Sequence, residues 1–120
     1  MKPWLAVAAA NGALAVAAGA FAAHGLSGAL PPDSLAIFET AARYQMYHGL
    51  ALGLCGLAPR EMRIGFPAWS FVAGIILFCG SLYGLALTGV RPLAYVTPAG
   101  GAAFLIGWVA LAWSALRKST

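Results

Sequence analysis

The sequence predicts an all-α integral membrane protein: an antiparallel four-helix bundle with both termini in the cytoplasm. Three observations carry that prediction. Of 120 residues, 62% are hydrophobic and only 8% are charged, and the mean hydropathy is +0.84. So few charges could barely cover a soluble domain. Four apolar stretches reach the length of roughly 18 or more residues that crosses the hydrocarbon core of a bilayer. Cations and aromatic residues gather at the ends of those stretches, where the membrane–water interfaces would lie.

The length fits one domain, residues 1–120. The first span is predicted over residues 4–23. It is almost entirely Ala, Val, Leu and Gly, with Asn11 its one strongly polar side chain. Twenty residues rise about 30 Å, one hydrocarbon thickness. That exceeds the ~7–15 apolar residues of a signal-peptide core, so a retained first helix is expected. Ala8, Gly12, Ala15, Gly19 and Ala23 recur at steps of three and four, a small-residue face suited to close helix approach.

A loop, His24 to Pro32, is expected to follow, with Asp33 or Ser34 capping the next helix. The second span is predicted over residues 39–58. Its purely apolar part, Gly49 to Ala58, is short. Crossing the membrane therefore requires Tyr44, Gln45 and His48 to enter the outer hydrocarbon. Glu39 and Arg43 stand four residues apart, acid first, the favourable order for an ion pair on a helix. Gly49 and Gly53 form a GxxxG step.

Pro59-Arg60-Glu61-Met62-Arg63 is a charged turn. The third span is predicted over residues 66–87 and contains a second GxxxG step, Gly80 and Gly84. Gly89-Val90-Arg91-Pro92 is a turn. The fourth span, residues 96–116, is expected to open with Thr97 as N-cap and Pro98 at the first helical position, with Gly100 a packing position inside it.

Four spans place both termini on one side. Lys2, Arg60, Arg63, Arg117 and Lys118 lie on that side, five of the seven cations, against Arg43 and Arg91 on the other. The positive-inside rule makes the first side cytoplasmic. Trp4, Trp69 and Trp113 fall near the inner boundary, and Tyr44, Tyr47, Tyr83 and Tyr95 toward the outer one. The net charge of +4 therefore serves orientation and headgroup contact. No basic stripe with interleaved aromatics is present, and nucleic acid is not a predicted partner. Cys55 lies near the inner face and Cys79 about 20 Å from it, too far apart for a disulfide, which needs α-carbons within about 7 Å. Two free, buried thiols are expected.

Several motifs resemble a known family. His24-Gly25-Leu26 closes a Gly/Ala-rich helix. Phe38-x-Thr40-Ala41, Tyr44-Gln45-x-x-His48, Gly80-Ser81-x-Tyr83, and Thr97-Pro98-x-Gly100-Gly101 with Gly107-Trp108 follow in order. Together they resemble the YgdD-like family of small four-span membrane proteins, catalogued as domain of unknown function 423. It is known in bacteria and has a eukaryotic transmembrane counterpart. The resemblance spans essentially the whole chain and implies a multi-pass protein of the bacterial cytoplasmic (inner) membrane. It implies no activity.

Function therefore rests on the polar residues. The candidate polar or ligand site comprises Arg43, Tyr44, Gln45, His48, Tyr83, Thr97 and His24. An ionisable group inside a span is a functional hypothesis by default. Its structural counterpart is an inter-helix hydrogen-bond network, each bond worth about 0.6 kcal/mol on average. Tyr83, Tyr95 and Thr97 are the expected partners at similar depth. Arg43 can hold a lipid phosphate or pair with Glu39, and Asn11 can bond to a facing helix or to another copy of the chain. Gly12, Gly19, Gly49, Gly53, Gly80, Gly84 and Gly100 are expected helix-packing positions.

Paired histidines invite a bis-histidine haem, but His24 belongs at the boundary and His48 some 13 Å deeper, so no cofactor is predicted. No Cys/His spacing supplies a closed metal site. Asp33, Glu39 and Glu61 all lie outside the middle of a span, which argues against proton-coupled cation export. No nucleophile–base–orienter set is present, and no enzyme is predicted. The leading expectation is a non-enzymatic accessory or interaction subunit, or a bundle that binds lipid or a small ligand. Membrane lipids, and a homo-oligomer or a larger membrane complex, are its expected partners. The alternative is a small transporter or channel using a polar outer-leaflet cavity around Tyr44, Gln45 and His48.

Overall fold

A computed structural model describes residues 2–117 of the protein. Met1, Ser119 and Thr120 lie outside the described residues, as does Lys118, one of the cations used to predict orientation. The described chain forms four long helices. α1 is α-helical over Pro3–Phe21 and ends in a π-helical turn, Ala22–Leu26. α2 runs over Pro32–Leu57. α3 spans Gly65–Thr88, with a π-helical segment at Ile75–Cys79. A 3₁₀ turn at Arg91–Tyr95 leads into α4, Thr97–Leu116.

The register is antiparallel throughout. On α2, Gly49, Gly53 and Gly56 face Gly12, Ala8 and Leu5 in turn, so numbers rise on one helix as they fall on the other. On α3 and α4, Phe71, Gly74 and Phe78 face Gly107, Phe104 and Gly100. Tyr83 meets Gln45 and Phe71 meets His48, which sets α3 antiparallel to α2.

Three helical stretches are long and apolar enough to cross a membrane: Pro3–Leu26, Gly65–Thr88 and Arg91–Leu116. α2 matches them in length but carries the polar cluster. Its position in the bundle accounts for that composition. Phe38, Ala41, Ala42, Gln45, His48, Gly49, Ala51, Leu52 and Cys55 are all buried, more residues than in any other helix. α2 is the inner helix, and its Gln45 and His48 face protein. All four helices turn large apolar side chains outward, as Leu14 (64% exposed) on α1, Leu50 (64%) on α2 and Val109 (70%) on α4 illustrate. A bilayer covers such a surface at no hydrophobic cost.

The core has two parts. The larger joins Leu52, Cys55, Phe71, Cys79 and Phe104 with Ala8, Ala41, Ala51 and Ala68. The smaller lies toward the inter-helix loops at Leu26 and Gly89, and joins Ala22, Leu26, Phe38 and Ala86. Cys55 and Cys79 are free and buried. Trp4 and Trp69 meet edge to face at 5.2 Å near the end that holds the N-terminus.

Several local expectations are corrected. The first helix runs past Ala23 to Leu26, because a π turn absorbs His24 and Gly25. α2 begins at Pro32 with Pro31 as N-cap and no side-chain cap. Proline at the first helical position is favoured there, and because the helix starts ahead of Asp33 and Ser34, neither occupies the cap position. Asp33 still lies in the first turn, where a carboxylate favours the helix dipole. At α4 the N-cap is Val96, and Thr97 already lies within the helix. Its hydroxyl is thereby released from capping.

Packing glycines also differ from expectation. Gly49, Gly53, Gly84 and Gly100 do face neighbouring helices or turns. A methyl group at Gly12, Gly19 or Gly80 would meet nothing within 4 Å, so the chain's own helices do not need those three to be small. Gly49, Gly84 and Gly100 are tight contacts, and further ones fall at Gly56 against the Leu5 backbone, Gly74 against Phe104, and Gly107 against Phe71.

Candidate functional site

The polar residues of α2 form a layer across the bundle. One helical face carries Gln45 and His48, which are 8% and 5% exposed. Gln45 links three helices. Its Nε2 donates to Asn11 Oδ1 on α1 at 3.0 Å, and Asn11 Nδ2 donates back to the Gln45 carbonyl at 2.9 Å. The Tyr83 hydroxyl on α3 donates to Gln45 Oε1 at 2.6 Å. Each amide orientation is fixed by its partners, since a phenolic proton and a backbone carbonyl leave one consistent assignment.

His48 links α2 to α4. Its Nδ1 bonds the Tyr44 carbonyl at 2.8 Å, and its Nε2 accepts the indole N–H of Trp108 at 3.1 Å. A carbonyl can only accept and an indole can only donate. The ring is therefore the neutral tautomer with its proton on Nδ1. Phe104 lies flat against the imidazole, with centroids 3.5 Å apart and planes at 6°. Phe71 and Tyr44 complete the surround at 5.8 and 6.1 Å. With both ring nitrogens engaged, His48 has no lone pair free for a metal.

Thr97 joins a second, smaller link. Its hydroxyl and that of Ser81 are 2.6 Å apart between α4 and α3, and Ser81 also donates to the Phe78 carbonyl at 3.0 Å. Among the described residues, every buried side-chain nitrogen or oxygen has a hydrogen-bond partner.

The structure thus brings Gln45, His48 and Tyr83 of the predicted site into one layer. Thr97 pairs with Ser81, separate from that layer. Tyr44 contributes its carbonyl to the layer, while its ring, 37% exposed, packs on Phe78 at 4.8 Å. Tyr95 is 85% exposed and joins nothing in the layer. His24 is exposed on the π turn of α1, remote from His48. Arg43 is exposed, and its Nη2 donates to Thr40 Oγ1 at 3.2 Å where the sequence suggested Glu39. Three residues complete the layer beyond the predicted set: Asn11 as the reciprocal partner of Gln45, and Trp108 and Phe104 as the surround of His48. Asn11 was legible as an isolated polar group, whereas nothing in the apolar α4 singled out its inward face.

Three cavities lie away from this layer. One of about 610 Å³, at the N-terminal end of α1, is lined by Lys2, Trp4, Cys55 and Arg60 among others. Two more follow the α1–α2 seam, of about 510 and 250 Å³. None of the three is lined by Gln45, His48 or Tyr83.

The profile of a family described as protein of unknown function (DUF423) matches residues 18–101. The chain is 44% identical to a UPF0382 membrane protein of Staphylococcus epidermidis over 119 residues, 98% of each chain. It is 44% identical over 113 residues to one of Staphylococcus aureus, 92% of this chain and 93% of that one. It is 41% identical over 121 residues to the UPF0382 membrane protein YwdK of Bacillus subtilis, 98% of each. No solved structure matches. A profile match over most of the chain, relatives that align along nearly its full length, and outward-facing apolar helices lead to one conclusion: the chain belongs to the DUF423 family and is a small helical membrane protein of a family whose function is unknown.

Proposed function

We propose that the protein is a non-enzymatic, multi-pass component of the bacterial cytoplasmic membrane. Both termini are cytoplasmic, and it serves as an interaction subunit or as a bundle that holds lipid at its surface. In this reading Gln45, His48 and Tyr83 join the helices and touch no substrate. The observation that carries it is the internally partnered polar layer: Gln45 and His48 are buried, and each of their side-chain nitrogens and oxygens has a hydrogen-bond partner within the chain. A transporter or channel built on these residues needs them to line a water-filled path, and a catalyst needs an unengaged nucleophile or base.

Orientation rests on Lys2, Arg60, Arg63 and Arg117 at one end against Arg43 and Arg91 toward the other. Thiol labelling in membrane vesicles tests the proposal. His48→Cys should resist a water-soluble maleimide above the background set by Cys55 and Cys79, while Ser27→Cys, at an exposed loop, should react from the periplasmic side only. Rapid labelling at position 48 would favour the transporter alternative. Labelling of position 27 from the cytoplasm would reverse the orientation.

A further inference from the structure

The seam between α1 and α2 carries a furrow. Its longer stretch, about 510 Å³, has a floor of Ala8, Gly12 and Gly53 and walls that include Leu54 and Leu57. The floor is low because side chains are missing there. A methyl group at Gly12 would meet nothing within 4 Å, and one at Gly53 only the Ala8 methyl at 3.8 Å. Met46 joins this stretch to a shorter one of about 250 Å³, which ends at Glu39 and Arg43.

The dimensions select the occupant. From Met46 to Leu57 the helix rises about 16 Å, so 510 Å³ corresponds to a mean cross-section of about 30 Å². An α-helix some 10 Å across occupies about 80 Å². The furrow cannot enclose a whole helix, and its section suits one extended hydrocarbon chain lying along the seam.

The charged end selects the headgroup. Glu39 and Arg43 are both exposed, one turn apart on α2, with β-carbons about 6 Å from each other. The guanidinium has five N–H donors and gives one to Thr40. The rest can grip a phosphate in the paired geometry that arginine favours. The Glu39 carboxylate is an acceptor for an ammonium group.

We propose that this furrow is a binding site for a zwitterionic aminophospholipid, with its phosphate on Arg43, its primary ammonium on Glu39, and one acyl chain along Met46, Gly12, Gly53 and Leu57. This deepens the lipid-holding reading above and rests on the chain being embedded in a membrane.

Native mass spectrometry of the full chain, stripped of lipid in a mild detergent, tests it. The probes are dioleoyl phosphatidylethanolamine, phosphatidylglycerol and phosphatidylcholine at equal concentration. The phosphatidylethanolamine adduct should exceed each of the others by about fivefold or more. Gly12→Leu, which fills the furrow, and Arg43→Gln should each lower it by a similar factor. Glu39→Gln should abolish the preference over phosphatidylglycerol. Gly80→Leu, at an open position outside the furrow, should bind as the parent does. Ala9→Leu repeats the filling test at a second lining residue in case Gly12→Leu folds poorly. Equal adducts for all three lipids, or adducts indifferent to both filling variants and to Arg43→Gln, would overturn the site. So would a dimer that disappears on filling the furrow, since a second copy would then be the occupant. Adducts form whichever way the chain is inserted, so failure here is distinguishable from failure of the topology.

Discussion

Asn11 and Gln45 exchange two hydrogen bonds across the α1–α2 seam, at 2.9 and 3.0 Å. Because Gln45 also accepts from Tyr83 at 2.6 Å, one side chain on the inner helix ties it to two neighbours. Asn11→Ala should cost about 1–2 kcal/mol of unfolding free energy in lipid, and Gln45→Ala somewhat more, because it leaves both Asn11 and Tyr83 without partners. A double-mutant cycle on Asn11 and Gln45, read by reversible unfolding in mixed micelles, should return a coupling of at least about 0.6 kcal/mol.

His48 is predicted to be a single neutral tautomer. Nitrogen-15 spectra of imidazole-labelled protein in bilayers at neutral pH should show a protonated Nδ1 and an unprotonated Nε2. Trp108→Phe should move the Nε2 resonance, by removing its donor, and cost about 1 kcal/mol. The reverse tautomer, or a mixture, would mean that the Trp108 contact is not a hydrogen bond.

Glycine substitutions should divide into two groups. At Gly100 a β-carbon would lie 2.7 Å from the Phe78 α-carbon, and at Gly107 a β-carbon would lie 2.7 Å from the Phe71 ring. Gly100→Ala and Gly107→Ala should each destabilise by about 1–3 kcal/mol through overpacking. Gly19→Ala and Gly80→Ala meet open space and should be neutral, or stabilising by up to about 1 kcal/mol from helix propensity. Thermal unfolding of the four variants in one detergent checks the division.

Ser81 and Thr97 should couple weakly. Their hydroxyls are 2.6 Å apart, and a cycle with Ser81→Ala and Thr97→Val should give about 0.6–1.7 kcal/mol. Zero coupling would show that Ser81 relies on the Phe78 carbonyl alone.

Depth was readable from the sequence, whereas rotation was not. Counting residues from the helix ends places Gln45 and Tyr83 at one level, and they bond. The same count offers Thr97 and Tyr95, yet Thr97 turns to Ser81 and Tyr95 faces outward, because each helix's phase about its axis decides which equal-depth groups meet. α4 is apolar on every side, so periodicity marks no inward face, and Trp108 could not be matched to His48. Small-residue spacing has a similar limit. It shows where helices can approach closely, and α1 and α2 do so at Gly49 and Gly56, but it equally marks Gly19 and Gly80, where nothing approaches. The length of α2 shows the opposite balance. Its apolar run is short by composition, and only its inner position explains how Gln45 and His48 can lie in the bundle.

The most direct test is the unfolding free energy, in lipid, of Gln45→Ala and His48→Ala against the parent chain. An internally partnered polar layer that joins the helices predicts losses of about 1–3 kcal/mol for each, unaffected by added lipid or metal ions. Variants as stable as the parent, or more stable, would contradict it. Gln45 and His48 would then be held in the bundle at a cost, for a ligand or a transported species.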